Sequence, residues 1–167
     1  MKIDTKLPGF QIKLAEPDDT SLILSFIKEL AAYENLSHEV VADEATLRQS
    51  LFGERRVAEV IIGLFEDKPV GFALYFHNFS TFLGEPGIYI EDIYIKPEMR
   101  GRGIGSIMFS YLAKLARERN CGRLEWWVLD WNQPAIDFYK KLGAAPMAEW
   151  TVNRLTDEAL EKLADEF

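Results

Sequence analysis

Ile90-Glu91-Asp92-Ile93-Tyr94-Ile95-Lys96-Pro97-Glu98-Met99-Arg100-Gly101-Arg102-Gly103-Ile104-Gly105-Ser106 is the stretch that decides the fold. It closes a strand expected over Gly87 to Ile95, passes through a glycine-rich turn and opens a long helix. Ile104, Ile107, Met108, Tyr111, Leu112, Leu115 and Ala116 carry the helical spacing, and Gly122 follows as a stop. The first turn of such a helix has free N–H groups and the positive end of the dipole, which together can cradle a phosphate. Glycines let the backbone approach the anion closely, and Arg100 and Arg102 add charge. A phosphate-loop NTPase needs a lysine after its last glycine, where Ser106 follows Gly105 here. The dinucleotide pattern needs glycine at Ser106 or Met108 and is not met. For the glycines alone, a pyrophosphate site and a turn that serves only the chain stand level.

Outward from this element, Phe10 to Ala15 alternates as an opening strand. Asp18, Asp19 and Thr20 offer caps to a helix reaching about Tyr33, with Leu22, Ile23, Phe26, Ile27 and Leu30 on one face. Asp43 to Phe52 reads as a shorter helix. Val57 to Phe65 and Val70 to Phe79 form a hairpin about Glu66-Asp67-Lys68-Pro69. Beyond the central helix, Leu124 to Leu129 reads as a strand and Pro134 to Leu142 as a helix, opened by proline and closed by Gly143. Trp150 to Leu155 is expected as a last strand before an acidic end helix. The order β-α-α-β-β-β-α-β-α-β-α predicts mixed α/β, antiparallel in its first half with a crossover in its second.

The chain has 167 residues, 48% of them hydrophobic and 28% charged, which suits a single folded domain over 1–167. No apolar run approaches the roughly 18 residues of a membrane helix, and Met1 to Lys6 has no apolar signal core, so a cytoplasmic protein with no membrane partner is expected. Cys121 stands alone and only His38 and His77 join it, which argues against a disulfide or a metal centre. The net charge of −8 weighs against nucleic acid and suits a cationic substrate. Thr156 to Phe167 hold five acids and one lysine, so half of that charge lies on the end helix.

Arg100-Gly101-Arg102-Gly103-Ile104-Gly105 resembles the [Q/R]-x-x-G-x-[G/A] signature of the GNAT acetyltransferases, and Asn132-Gln133-Pro134-Ala135-Ile136-Asp137-Phe138-Tyr139-Lys140-Lys141-Leu142-Gly143-Ala144 resembles their N-x-x-A-x-x-F-Y-x-x-x-G-F motif, with Ala144 in place of the final aromatic. Phe26 to Glu34, Tyr89 to Tyr94 and Trp131 to Pro134 are similar to segments of the spermidine/spermine (diamine) N-acetyltransferase subgroup, which also includes enzymes preferring thialysine. The subgroup usually has an aromatic where Ile93 stands, and the segment around Ala145 to Trp150 is shorter here. The resemblance implies a GNAT-type fold: a mixed, mostly antiparallel twisted sheet flanked by helices on both faces. It also implies acetyl-CoA as cofactor, with the pyrophosphate over the amides from Gly101 through Arg102, Gly103, Ile104 and Gly105 to Ser106. The pantetheine arm would pair with the strand edge at Ile93, Tyr94 and Ile95, and Asn132, Gln133, Pro134 and Ala135 would line its other side. A homodimer is implied as well.

A primary amine with a pKa of about 10.4 costs roughly 4.6 kcal/mol to neutralise near pH 7. A carboxylate that takes the proton, directly or through water, meets that need. Glu91 is the candidate base, and strand alternation sends Glu91 and Asp92 to opposite faces unless a bulge intervenes. The resemblance gives Tyr139 as the acid that protonates the leaving thiolate. It also offers Tyr33 and Glu34 as amine anchors; Asp92 and Glu149 are further acidic candidates for the substrate's distal charge, and Trp126 is a candidate to line the amine channel. The expected reaction is acetyl transfer to a small di- or polyamine. The alternatives are thialysine, another amino acid, a protein amino group, or a module that binds acyl-CoA without turnover.

Overall fold

The computed structural model describes residues 1–167. Its elements run β1 (Lys2–Asp4), β2 (Phe10–Leu14), α1 (Thr20–Tyr33), α2 (Glu44–Phe52), β3 (Glu59–Phe65), β4 (Lys68–Ser80), β5 (Glu85–Ile95), α3 (Ile104–Glu118), β6 (Leu124–Trp126), α4 (Gln133–Lys141) and α5 (Asp157–Ala164). Two compact units divide it, Met1–Trp127 and Val128–Phe167.

The first unit holds one six-stranded sheet in the order β1-β2-β3-β4-β5-β6. All neighbours are antiparallel except β5 and β6, which run parallel across the α3 crossover. The two faces follow from strand alternation. On one, Val60, Ile62, Leu64, Phe72 and Tyr94 form a cluster with Ile23 and Phe26 of α1 and Leu51 of α2. Phe26 stacks on Phe72 at 5.5 Å. The other face receives α3. A side chain at Gly63 would meet Met108 of α3 at 3.5 Å, and Phe109 packs edge-on against Trp126 at 4.8 Å. The expected mixed, mostly antiparallel α/β fold with helices on both faces is the one observed.

Asp43 caps α2, its carboxylate accepting from the Thr46 amide at 2.8 Å. The β3–β4 hairpin turns on two residues, Glu66 and Asp67, both left-handed at φ 48° and 62°. That tight turn leaves Lys68 and Pro69 inside β4, where the sequence placed them in the turn. β1 escaped the sequence reading because its three residues, Lys2, Ile3 and Asp4, are too few to establish a period. β6 is three residues long, against the six expected.

In the second unit, α4 and α5 are the regular elements. The strand expected at Trp150 to Leu155 is not formed: these residues are exposed and irregular. A strand requires a ladder partner, and the sheet ends at β6. No helix is long and apolar enough to cross a membrane.

Candidate active site

β5 carries the centre of the site. Its pairing with β4 slips between Leu74 and Tyr75: Leu74 faces Asp92, and Tyr75 faces Ile90. Glu91 is the extra residue, a β-bulge. It is exposed, whereas Asp92 is largely sheltered. The bulge expected as the exception to alternation is therefore present, and it displaces Glu91 from the ladder.

Asp92 lies in an acidic setting. Burial, together with the charges of Glu91 and Glu34, pushes its carboxyl up to about 6. Glu34 follows the last residue of α1, and burial raises its pKa as well. Three carboxylates from two elements thus share one region. Two of them, Glu34 and Asp92, are held away from water where a cation would lower the cost of their ionisation. Tyr89 stands beside them, with Phe76 at 5.1 Å and Trp127 at 5.8 Å. Burial first, then the charges of Glu91, Glu125 and Asp92, raises the Tyr89 pKa. This aromatic wall was not among the residues read from sequence. Its signal was present in Tyr89, two residues before the bulge, but alternation alone gave no reason to set it beside the acids.

The ladder between β5 and β6 runs from Ile88↔Leu124 to Ile90↔Trp126 and ends there. β4 continues to pair with β5 as far as Ile95. From Asp92 to Ile95 the strand is therefore paired on its β4 side only, the geometry that admits an added extended chain. Ile93, Tyr94 and Ile95 lie along this stretch.

The glycine turn follows. Gly101 and Gly103 have φ 76° and 83°, a left-handed backbone that side-chain-bearing residues rarely adopt, and a Cβ on either would meet nothing within 4 Å. Gly103 is the N-cap of α3 and has no side-chain cap; its carbonyl accepts from Ile107 at 3.1 Å. The amides of Ile104, Gly105 and Ser106 therefore open the fifteen-residue helix without intrahelical acceptors. A diphosphate fits this cradle: its charge suits the dipole end, and the bare glycines leave room for it. The two arginines are oriented otherwise. Arg100 lies over the Tyr33 ring at 4.6 Å and the Tyr94 ring at 5.7 Å, and Arg102 over Phe65 at 5.7 Å.

Trp126 is half-buried against Phe109, on the α3 face of the sheet. Tyr33 ends α1 beneath Arg100. In the second unit, Asn132 is buried and caps α4, its side-chain oxygen accepting from the Ala135 amide at 3.4 Å. Gln133 donates to Asp137 at 2.7 Å, and Pro134 occupies the first helical turn. Tyr139 is half-buried, its ring 5.6 Å from that of Phe138. Glu149 is exposed in the irregular segment. Cys121 has its thiol pushed up by burial, which suits a structural group and not a nucleophile.

These features suit acyl transfer: an anion cradle at a helix start, an open strand edge leading into it, and carboxylates on that strand and just after α1. Comparison with known proteins agrees. Residues 25–144 match the sequence model of the Acetyltransferase (GNAT) family, and the chain belongs to that family. A thialysine N-epsilon-acetyltransferase of Bos taurus is 42% identical over 92% of this chain and 96% of its own. The L-ornithine N5-acetyltransferase of Arabidopsis thaliana is 31% identical over 92% of this chain and 87% of its own. A human spermidine/spermine N(1)-acetyltransferase-like protein is 33% identical over 96% of this chain but 24% of its own greater length. Among solved structures, an integron cassette protein from the mobile metagenome of V. cholerae superposes with a TM-score of 0.79 at 29% identity, covering 93% of this chain and 98% of its own. The protein is an enzyme, an acetyltransferase with acetyl-CoA as its acyl donor. The reading of a binding module without turnover gives way to this one.

Proposed function

We propose that the acceptor is a primary amine of a small cationic molecule, with a thialysine-like diamino acid as the first candidate. The observation that carries this reading is Asp92, a sheltered carboxylate raised to about 6 beside Glu91 and Glu34. Such a cluster gains most from an ammonium group, and the Tyr89 ring offers a cation a further favourable face. The relatives named for thialysine and ornithine support amino-acid acceptors. Polyamines are the second reading, favoured by the presence of three carboxylates for more than one positive charge.

In this mechanism the glycine turn would hold the cofactor's diphosphate on the amides of Ile104, Gly105 and Ser106, and Arg102 would add charge on leaving its seat over Phe65. The edge at Ile93 to Ile95 aligns the pantetheine arm, and Asn132 to Ala135 line it. Asp92 and Glu34 draw in the ammonium, aided by Tyr33, with Glu149 and Trp126 as outer contacts. Glu91, at the bulge and open to solvent, takes the proton through water. The neutral nitrogen attacks the thioester carbonyl, a C–N bond forms, and the C–S bond breaks. Tyr139 would donate the proton that the departing thiolate accepts, and the second proton that the new amide nitrogen sheds would restore the Tyr139 hydroxyl through water. The two units act as one acetyltransferase domain, in keeping with a family match that crosses residue 127. A cytoplasmic homodimer completes the reading, and sedimentation tests the dimer.

A CoA-release screen over thialysine, ornithine, putrescine, spermidine, spermine and a short peptide tests the substrate. One of the small amines is expected to exceed the peptide in kcat/KM by at least about tenfold. Release with the peptide alone, or with none of them, overturns the assignment.

A further inference from the structure

Arg100 belongs to the glycine turn, yet its guanidinium points back to the sheet. It lies 4.6 Å from the centre of the Tyr33 ring and 5.7 Å from that of Tyr94, and its Nε donates to the Ile95 carbonyl at 3.0 Å. Tyr33 is the last residue of α1, and Glu34 comes next. Tyr94 lies two residues after Asp92, and its hydroxyl is engaged by Glu29 of α1. A single cation thus touches the turn, the end of β5 and the end of the helix that carries one of the site's sheltered carboxylates.

We infer that Arg100 is a positioning residue for the amine site, not a phosphate ligand. It holds the end of α1 against β5 so that Glu34 stays close to Asp92. The inference rests on the amine site proposed above. Its physical basis is the fixed plane of guanidinium, which stacks on an aromatic ring and keeps Nε for a carbonyl at the same time. Lysine reproduces the charge but neither the plane nor the Nε bond. The arrangement also joins the cofactor turn to the amine anchors through one side chain, so the sites for the two substrates have a direct mechanical link.

The test compares Arg100→Gln and Arg100→Lys with the unaltered enzyme, using two donors: acetyl-CoA and S-acetyl-N-acetylcysteamine, a thioester without phosphates. The positioning role predicts that Arg100→Gln raises the amine KM about threefold to tenfold with both donors, while kcat stays within about twofold. Arg100→Lys recovers part of the loss. In a Tyr33→Leu background Arg100→Gln adds nothing further, whereas in Tyr33→Phe, which keeps the ring, it costs its full factor. An effect confined to the acetyl-CoA KM, and absent with the phosphate-free donor, overturns the inference and makes Arg100 a diphosphate contact. Hydrogen exchange separates this outcome from a failure of the substrate assignment. Amides from Ala31 to Leu36 are expected to exchange faster in Arg100→Gln whether or not any tested amine is acetylated, and unchanged exchange there also overturns the inference.

Discussion

Glu59 on β3 and Asp92 on β5 are partly sheltered carboxylates of one sheet, on opposite faces, and their surroundings push them in opposite directions. Glu59 meets Arg119 at the end of α3, which grips both of its oxygens, one at 2.8 Å, and Tyr75 donates to it at 3.4 Å. Hydrogen bonding to Arg119 is the largest influence, and it holds the Glu59 carboxyl below its ordinary range. Asp92 has acids for neighbours, and burial with their charge raises it. The first arrangement ties a helix to a sheet and needs no ligand. The second is left short of positive charge, a cost to the folded chain that an arriving ammonium would relieve. Carboxylates perturbed without a built-in partner concentrate at functional sites, whereas the Glu59–Arg119 pair is accounted for by structure alone.

The largest effect separating the two regions is expected at the bulge. Glu91→Gln should lower kcat by about 100-fold with little change in melting temperature, since a general base contributes on that scale and the residue is exposed. A stopped assay of CoA release against amine concentration measures it. A kcat within a few-fold of the unaltered enzyme would move the proton acceptor elsewhere.

Asp92→Asn comes next and sharpens the contrast most directly. The amine KM should rise about tenfold, as one charged contact is lost. The same substitution should raise the melting temperature by about 2–4 °C near pH 7, corresponding to about 1 kcal/mol, because it removes a charge that folding confines. Calorimetry and kinetics on one preparation decide it. A fall in melting temperature would show that Asp92 is paired after all and would dissolve the comparison.

Arg119→Met should act in reverse. It strands Glu59 and is expected to cost about 1 kcal/mol, a modest figure because the Glu59 side chain is 42% exposed and solvent screens the pair. The melting temperature then falls by about 2–4 °C while kcat and both KM values hold.

Much of this is legible in the sequence. The sequence places α1, α2 and α3 to within a residue or two, since α1 and α3 each repeat apolar residues at helical spacing. The glycine turn was readable because a left-handed N-cap with nothing around it demands glycine. The bulge was legible only as an alternative: an extra residue in a strand leaves no mark of its own, and Glu91 and Asp92 look alike until Leu74 and Tyr75 set the register. The acidity of Asp92 depends on Glu34, and the seat of Arg100 on Tyr33, contacts between residues far apart in the chain. Trp150 to Leu155 failed for the opposite reason. Its local pattern suits a strand, but pairing is a property of neighbours and not of the segment.

The smallest expected effect is the pH dependence, and its sign distinguishes the two carboxylates. Asp92 binds its proton more tightly in the folded chain than in the unfolded one, with a value raised from 3.8 to about 6. The stability this supplies is fully present below about pH 3.8 and is lost as pH rises through about 6. Glu59 is lowered from 4.5, so its contribution is present above that value and is lost as pH falls through the folded one. The advantage of Asp92→Asn in melting temperature should therefore open between about pH 4 and 6 and stay open above, whereas the deficit of Arg119→Met should be widest at neutral pH and close in acid. The amine KM of the unaltered enzyme should climb as pH falls below about 6, and Asp92→Asn should flatten that climb. Melting curves at half-unit pH steps for the three proteins test both signs together. Parallel curves would mean that the two carboxylates sit in equivalent fields, and the acidic pocket would then lose its claim to be kept open for a cation.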